Sequence, residues 1–183
     1  GINKQTGRPE RPAPTRKDTN AMSATITTPD LPSRDSAAEL LSVEEAAYHA
    51  LTQAGPLTDT HVLSIWEACQ RTQTRDPLIT RILLAHPALR TRAVDRLTTA
   101  LTRLDGPNAE MLTVAGMLTW STGGDERLAV LMLTLAVENG VQSSLAELLL
   151  EGIPAGLPRD TWILAIAAEL TLDQMRTLPV EVA

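Results

Sequence analysis

Apolar residues recur along most of this chain at the three- and four-residue spacing of helices that bury one face. The pattern is strongest from 109 to 152, and turn-forming residues interrupt it at 121–124 and at 139–140. Asp125 favours the start of a helix after the first interruption, and the small residues Ala129 and Ala136 of that helix would let the two helix backbones approach. The stretch therefore predicts a helical hairpin, followed by the first helix of the next hairpin.

Start and stop signals divide the rest of the chain into further helices. Ser42 and Glu45 have the spacing of a capping box, and Gly55-Pro56 ends the helix that follows. Because proline is favoured at the first helical position, Asp76-Pro77 and His86-Pro87 predict two more helix starts. The remaining cap candidates are Ser33 to Ser36, Thr58 or Asp59, Ser143-Ser144 and Asp160, and 171–176 is expected to form one last turn or two.

The predicted hairpin also resembles a tetratricopeptide repeat. Trp120, Gly124, Ala129, Leu133 and Ala136 follow one another at offsets of 4, 5, 4 and 3 residues, the order of aromatic, turn glycine, small, large and small residues in that repeat. No second copy lies about 34 residues further on. The alternative stays open that any antiparallel helix pair needs a glycine turn and small contact residues.

These elements predict an all-α fold without a sheet, with about seven to nine helices arranged as antiparallel hairpins in a bundle or short tetratricopeptide-like stack. We expect a disordered tail or linker over 1–33, a single all-helical domain over 34–178 and a frayed C terminus over 179–183. Both lysines of the chain lie before residue 18. Residues 1–21 are therefore either a vector-encoded segment or leader before a native start at Met22, or a native basic arm, and these alternatives stay open.

Composition fits a soluble protein with an aliphatic core. The chain has 183 residues, 43% of them hydrophobic, with no Phe, one Tyr and three Trp. No apolar run reaches the length of a membrane span, and the single cysteine, Cys69, cannot form an internal disulfide. We therefore expect a cytoplasmic protein that does not insert into a membrane.

The net charge of −6 is unevenly distributed. Residues 71–104 carry seven basic and two acidic groups between acidic flanks. Such a basic segment either contacts an anionic partner or pairs with neighbouring helices, and internal pairing is the interpretation that we favour. The residues of the candidate anionic-partner patch are Arg71, Arg75, Arg81, Arg90, Arg92, Arg96 and Arg103.

The patterns of known chemical sites give no candidate. His49, His61, His86 and Cys69 lack the close spacing of metal ligands, and Gly123-Gly124 lacks the lysine of a phosphate loop. Cys69 lies on an apolar helical face, which is typical of an inert core thiol. We therefore expect no catalytic residues, no metal and no cofactor.

Three segments resemble an actinobacterial family called domain of unknown function 4192. They are the Asp-Pro start in 74–81, the run 112–129 with its tryptophan, glycine turn and alanine helix, and 144–158 with its Gly-Leu-Pro turn. The resemblance spans roughly 58–162 and corresponds to the C-terminal half of that family, with no recognised counterpart of a larger N-terminal half. The resemblance implies no known activity.

The leading functional hypothesis is a non-enzymatic helical module that binds a protein partner, because helical hairpins form grooves for a helix or an extended peptide. The alternative is a nucleic-acid accessory protein that uses the arginine-rich segment 71–103, although the chain is acidic and poor in aromatic residues. A homodimer is also consistent with the sequence. The identity of the protein partner does not follow from it.

Overall fold

The computed structural model describes residues 24–140, 144–166 and 168. Within these residues the chain is helical and contains no strand, which confirms the predicted all-α fold. The helices are α1 (Ala37–Thr52), α2 (Asp59–Cys69), α3 (Thr72–Leu84), α4 (Pro87–Arg103), α5 (Ala109–Ser121), α6 (Glu126–Glu138), α7 (Ser144–Gly152) and α8 (159–166). None of the described helices is both long enough and apolar enough to cross a bilayer.

Helix α5 is the centre of the fold. Every residue from Met111 to Ser121 is buried, and the helix packs against α2, α3, α4, α6 and α7. A helix that is apolar around its whole circumference is stable only when neighbours cover all of its sides. The other helices therefore form a shell around α5, in which α1 packs against α2, α3 and α4.

Helices α5 and α6 pack against each other, which confirms the predicted hairpin. Ala129, Leu133 and Ala136 of α6 are completely buried. A Cβ atom added to Gly116 of α5 would lie 2.8 Å from Leu133 Cγ and 3.0 Å from the Ala129 carbonyl oxygen. The two backbones thus approach each other at a point where only glycine fits, and turn glycine Gly123, with φ of +79°, reverses the chain between the helices.

Two predicted helix starts are wrong. Helix α1 begins at Ala37 with a capping box between Ser36 and Glu39, so that Ser42 lies inside the helix. Helix α3 begins at Thr72, one turn before Pro77. The Ser36 cap satisfies the first backbone groups of α1, whereas α3 has no side-chain cap at Arg71 and its added first turn instead buries Thr74.

The last described helix begins close to the predicted cap at Asp160. The first hydrogen bond of this helix instead runs from the Trp162 amide to the carbonyl of Pro158, at 3.0 Å. The indole of Trp162 then packs edge-on against that of Trp120, with ring centroids 6.3 Å apart. This aromatic contact attaches α8 to the end of α5. The predicted final turns over 171–176 lie outside the described residues.

Part of the predicted tail lies against the helical body. The amide of Ile26 donates to the carbonyl of Arg103 at 2.7 Å, and the amide of Asp105 donates to the carbonyl of Ile26 at 2.9 Å. Ile26 is half-buried against the core. The segment 24–33, which precedes α1, therefore contacts the helical domain at Ile26. The predictions for 1–23 and 179–183 fall outside the described residues.

The packing of α6 gives a pair of stability predictions. Ala129→Leu should lower the free energy of unfolding by about 1–3 kcal/mol or more, because the larger side chain must push α6 away from α5. Arg127→Ala, at an exposed position of the same helix, should change it by no more than about 0.5 kcal/mol. Denaturant midpoints measure both. A neutral Ala129→Leu together with a costly Arg127→Ala would mean that α6 presents its other face to α5.

Candidate functional site

A groove separates α4 from α6. Both helices pack against α5 but not against each other, which leaves an open space of about 540 Å³ over the last turns of α5. We call this space the α4–α6 groove. It is lined by Val94, Asp95, Thr98, Thr99 and Thr102 of α4, by Thr119 of α5, and by Gly124, Asp125 and Leu128 at the start of α6.

The threonines make the groove less polar than its composition indicates. The hydroxyls of Thr98 and Thr99 each donate to a backbone carbonyl one turn earlier at 2.8 Å, and that of Thr102 donates to the carbonyl of Thr99 at 2.7 Å. These hydroxyls are therefore satisfied within α4. The threonine methyl groups, together with Leu128, which is 39% exposed, give the groove an apolar surface.

The charges in the groove are both negative. The Asp125 carboxylate caps α6 by accepting from the amides of Arg127 at 2.9 Å and Leu128 at 3.3 Å. Asp95 is exposed, and its carboxylate forms no ion pair with any residue that the structure describes. No arginine that the structure describes lines the groove. The groove therefore combines an apolar surface with two carboxylates, which favour basic groups in a ligand.

The arginines of the predicted anionic-partner patch make contacts inside the domain. Arg92 donates to the carbonyl of Thr52 at 2.9 Å. Arg96 donates to the carbonyls of Ala50 at 2.6 Å and Gly55 at 2.7 Å. The last carbonyls of a helix have no partner within it. These two arginines of α4 therefore satisfy the end of α1 and the loop that follows.

Two further arginines of the patch lie at opposite ends of α4. Arg103 donates to the carbonyl of Leu57 and pairs with the Asp59 carboxylate, both in the segment after α1. Arg90 has a single long contact, from Nη1 to the carbonyl of Leu83 at 3.5 Å. Arg103 is thus tied to the body of the domain, whereas Arg90 keeps most of its donors unused among the described residues.

The remaining patch residues pair with carboxylates. Arg75 contacts Asp76 at 2.9 Å and Glu110 at 3.2 Å, and Arg71 contacts Glu67 at 3.5 Å. Their side chains are only 15–16% exposed. The patch residues thus contact different segments of the domain instead of forming one uniform basic face.

Arg81 links α3 to a buried acid on α1. Its Nη1 lies 2.8 Å from Glu44 Oε1 and 2.7 Å from Glu45 Oε1, and its guanidinium stacks 3.8 Å from the centre of the Tyr48 ring. The side chain of Glu44 is 5% exposed. Burial raises the pKa of Glu44, and the neighbouring Arg81 guanidinium opposes part of that rise.

The one thiol lies in the core. Cys69 is 1% exposed, and burial raises the pKa of its thiol to about 12. It is therefore a thiol and not a reactive thiolate at neutral pH. Among the described residues, no group of three or more His, Cys, Asp or Glu side chains is arranged to hold a metal ion.

Comparison with known proteins gives a family. The family model described as Domain of unknown function (DUF4192) matches residues 4–160, and the chain therefore belongs to this family. The match extends further towards the N terminus than the resemblance over 58–162. No curated protein and no solved structure matches the chain.

The buried acid gives a prediction of pH dependence. Because the pKa of Glu44 is higher in the folded protein than its usual 4.5, the folded state holds this proton more tightly than the unfolded state does. The contribution of Glu44 to stability should therefore be greatest below pH 4.5 and decrease as the pH rises through the raised pKa. Denaturation of the wild type and of Glu44→Gln across this range measures it. A free-energy difference between the two that does not change with pH would contradict the assignment.

Proposed function

We propose that this member of the DUF4192 family is a non-enzymatic protein-interaction module, and that its α4–α6 groove binds an apolar partner segment carrying basic residues. The observation that carries the proposal is the combination of an apolar groove with two carboxylates, Asp95 and Asp125, and no arginine among the described residues of its lining. Opposite charges at the edge of an apolar contact favour the correct partner and disfavour acidic ones. The acidity of the chain as a whole acts in the same direction.

The dimensions of the groove fit a short helix. Its α4 wall runs from Val94 to Thr102, which at 1.5 Å per residue is about 12 Å long. This length corresponds to roughly two turns of a partner helix. Such a helix would place apolar side chains at positions i, i+3 or i+4, and i+7 in the groove, and its basic residues would lie towards Asp95.

The non-enzymatic part of the proposal is supported by the roles of the reactive side chains. His61 and His86 each accept a backbone hydrogen bond at a helix start, at 3.1 and 3.3 Å respectively. Cys69 is in the core. These groups thus have structural roles. Among the residues that the structure describes, the polar side chains of the groove are threonines and carboxylates.

The alternative, a nucleic-acid accessory protein that uses 71–103, stays a prediction. The carbonyl and carboxylate contacts of its arginines speak against it, because binding of a nucleic acid draws on freely available cationic donors. Retention on DNA that decreases with added salt would place this alternative above our proposal. The tetratricopeptide-like character, the homodimer and the cytoplasmic location also stay predictions.

Selection from a random peptide library displayed on phage tests the proposal. We expect enriched peptides to carry apolar residues at helical spacing with lysine or arginine beside them. Leu128→Ser should weaken binding of these peptides about tenfold, since a buried leucine contributes roughly 1.5–3 kcal/mol. Asp95→Asn should weaken it by a smaller factor and reduce its dependence on salt.

Matched controls lie close by on the chain. Leu131→Ser changes an exposed leucine of α6, 53% accessible, that does not line the groove, and Asp105→Asn removes an exposed acid from the loop before α5. Neither control should alter peptide binding. Enrichment of acidic peptides, or peptides bound equally by the wild type and Leu128→Ser, would overturn the proposed groove.

A further inference from the structure

The outer face of α6 carries apolar side chains that are open to solvent. Among α1 to α7, this helix packs against α5 and α7. Its buried residues are Ala129, Met132, Leu133 and Ala136. On the outer side Leu131 is exposed, and Thr134 and Leu135 are half-buried. The hydroxyl of Thr134 donates to the carbonyl of Val130 at 2.8 Å, so that it needs no further partner. The outer face of α6 therefore offers an apolar surface to a partner.

Opposite charges lie at the two ends of this face. Arg127 and Glu138 are both exposed, and neither forms an ion pair with a residue that the structure describes. The helix from 127 to 138 makes about three turns and rises by about 17 Å, so that both side chains project from nearly the same side of α6 as Leu131. We call Arg127, Leu131, Thr134, Leu135 and Glu138 the α6 stripe.

The α6 stripe is complementary to itself when two copies of it run antiparallel. Arg127 of one chain then lies opposite the partner's Glu138, and a two-fold axis forms the same pair a second time. This pairing also brings Leu131 next to the partner's Leu135, since both pairs are centred close to the middle of the helix. Apolar side chains thus meet at the centre and charges lie at the rim, which is the usual arrangement of a protein interface.

The charges select this arrangement over others. In a parallel pair of α6 helices each Arg127 would lie opposite an arginine and each Glu138 opposite a glutamate, and such contacts between like charges are unfavourable. Because the charges of Arg127 and Glu138 cancel, the stripe as a whole favours neither an acidic nor a basic partner. It favours a partner that carries the two charges in the opposite order, and a second copy of α6 does so.

We propose that the α6 stripe is the interface of a homodimer in which the α6 helices of two chains pack antiparallel about a two-fold axis. A helix of 13 residues is about 20 Å long, so that one helix pair buries less surface than a standard protein interface does. We therefore expect a weak dimer that forms at micromolar to millimolar concentrations of the chain. The stripe shares no residue with the lining of the α4–α6 groove, and the two proposals are independent.

Sedimentation equilibrium of the full chain over this range of concentrations tests the interface. The wild type should change from monomer to dimer as its concentration rises. Leu131→Asp should raise the dissociation constant about a hundredfold or more, because each dimer would lose two leucines from its centre and bury two carboxylates. The matched control is Leu41→Asp, at an exposed leucine of α1 outside the stripe, which should dimerise as the wild type does.

Charge reversal tests the antiparallel pairing. Arg127→Glu and Glu138→Arg should each weaken the dimer about tenfold at low salt, because each variant places like charges opposite each other twice. The variant with both changes should dimerise as the wild type does. An equimolar mixture of the two single variants should form a heterodimer, since one chain then carries two acids in its stripe and the other carries two arginines.

A wild type that stays monomeric over the whole range would overturn the homodimer in favour of a different occupant of the stripe. A dimer that Leu131→Asp leaves unchanged, or that Leu41→Asp weakens equally, would overturn the interface. Charge reversals that the combined variant does not repair would overturn the antiparallel pairing. Far-ultraviolet dichroism shows whether each variant is folded, and the charge reversals at exposed positions test the interface even if Leu131→Asp fails to fold.

Discussion

The burial of α5 on every side is the constraint on which the rest of the structure depends. All residues from Met111 to Ser121 are removed from solvent, and at Gly116 the backbone of α6 comes so close that a methyl group would collide with Leu133. Neighbouring helices must therefore cover the full circumference of α5. Because α4 and α6 cover different sides and do not meet, the α4–α6 groove is a direct result of the way in which α5 is enclosed.

Charged side chains complete the shell around this core. Arg92 and Arg96 of α4 donate to carbonyls at the end of α1, and Arg81 of α3 pairs with the buried Glu44. Removing one partner of such a contact leaves a buried polar group unsatisfied, which costs free energy. These contacts therefore favour one arrangement of the helices. Arg90 and Arg159 are different, because their hydrogen bonds are both 3.5 Å long. The same residue type thus makes close structural contacts at some positions and only long ones at others.

The sequence predicted the all-α fold and the α5–α6 hairpin because local signals, such as Asp125 before α6 and Gly123 in the turn, act within a few residues. It included Ser36, the actual cap of α1, among its candidates, but it predicted an extra start at Ser42 inside α1 and placed the start of α3 too late, at Pro77. The α4–α6 groove could not be predicted, since it depends on which helices are held apart.

The stability of Gly116→Ala tests the central claim most directly. On an open helical surface, alanine is more favourable than glycine by roughly 1 kcal/mol. At Gly116, however, the added methyl would meet Leu133 Cγ and the Ala129 carbonyl oxygen at 2.8 and 3.0 Å, and such overpacking costs about 1–3 kcal/mol. We therefore expect a lower urea midpoint than that of the wild type, with an unchanged denaturant slope. A midpoint equal to or above that of the wild type would contradict the close contact between α5 and α6.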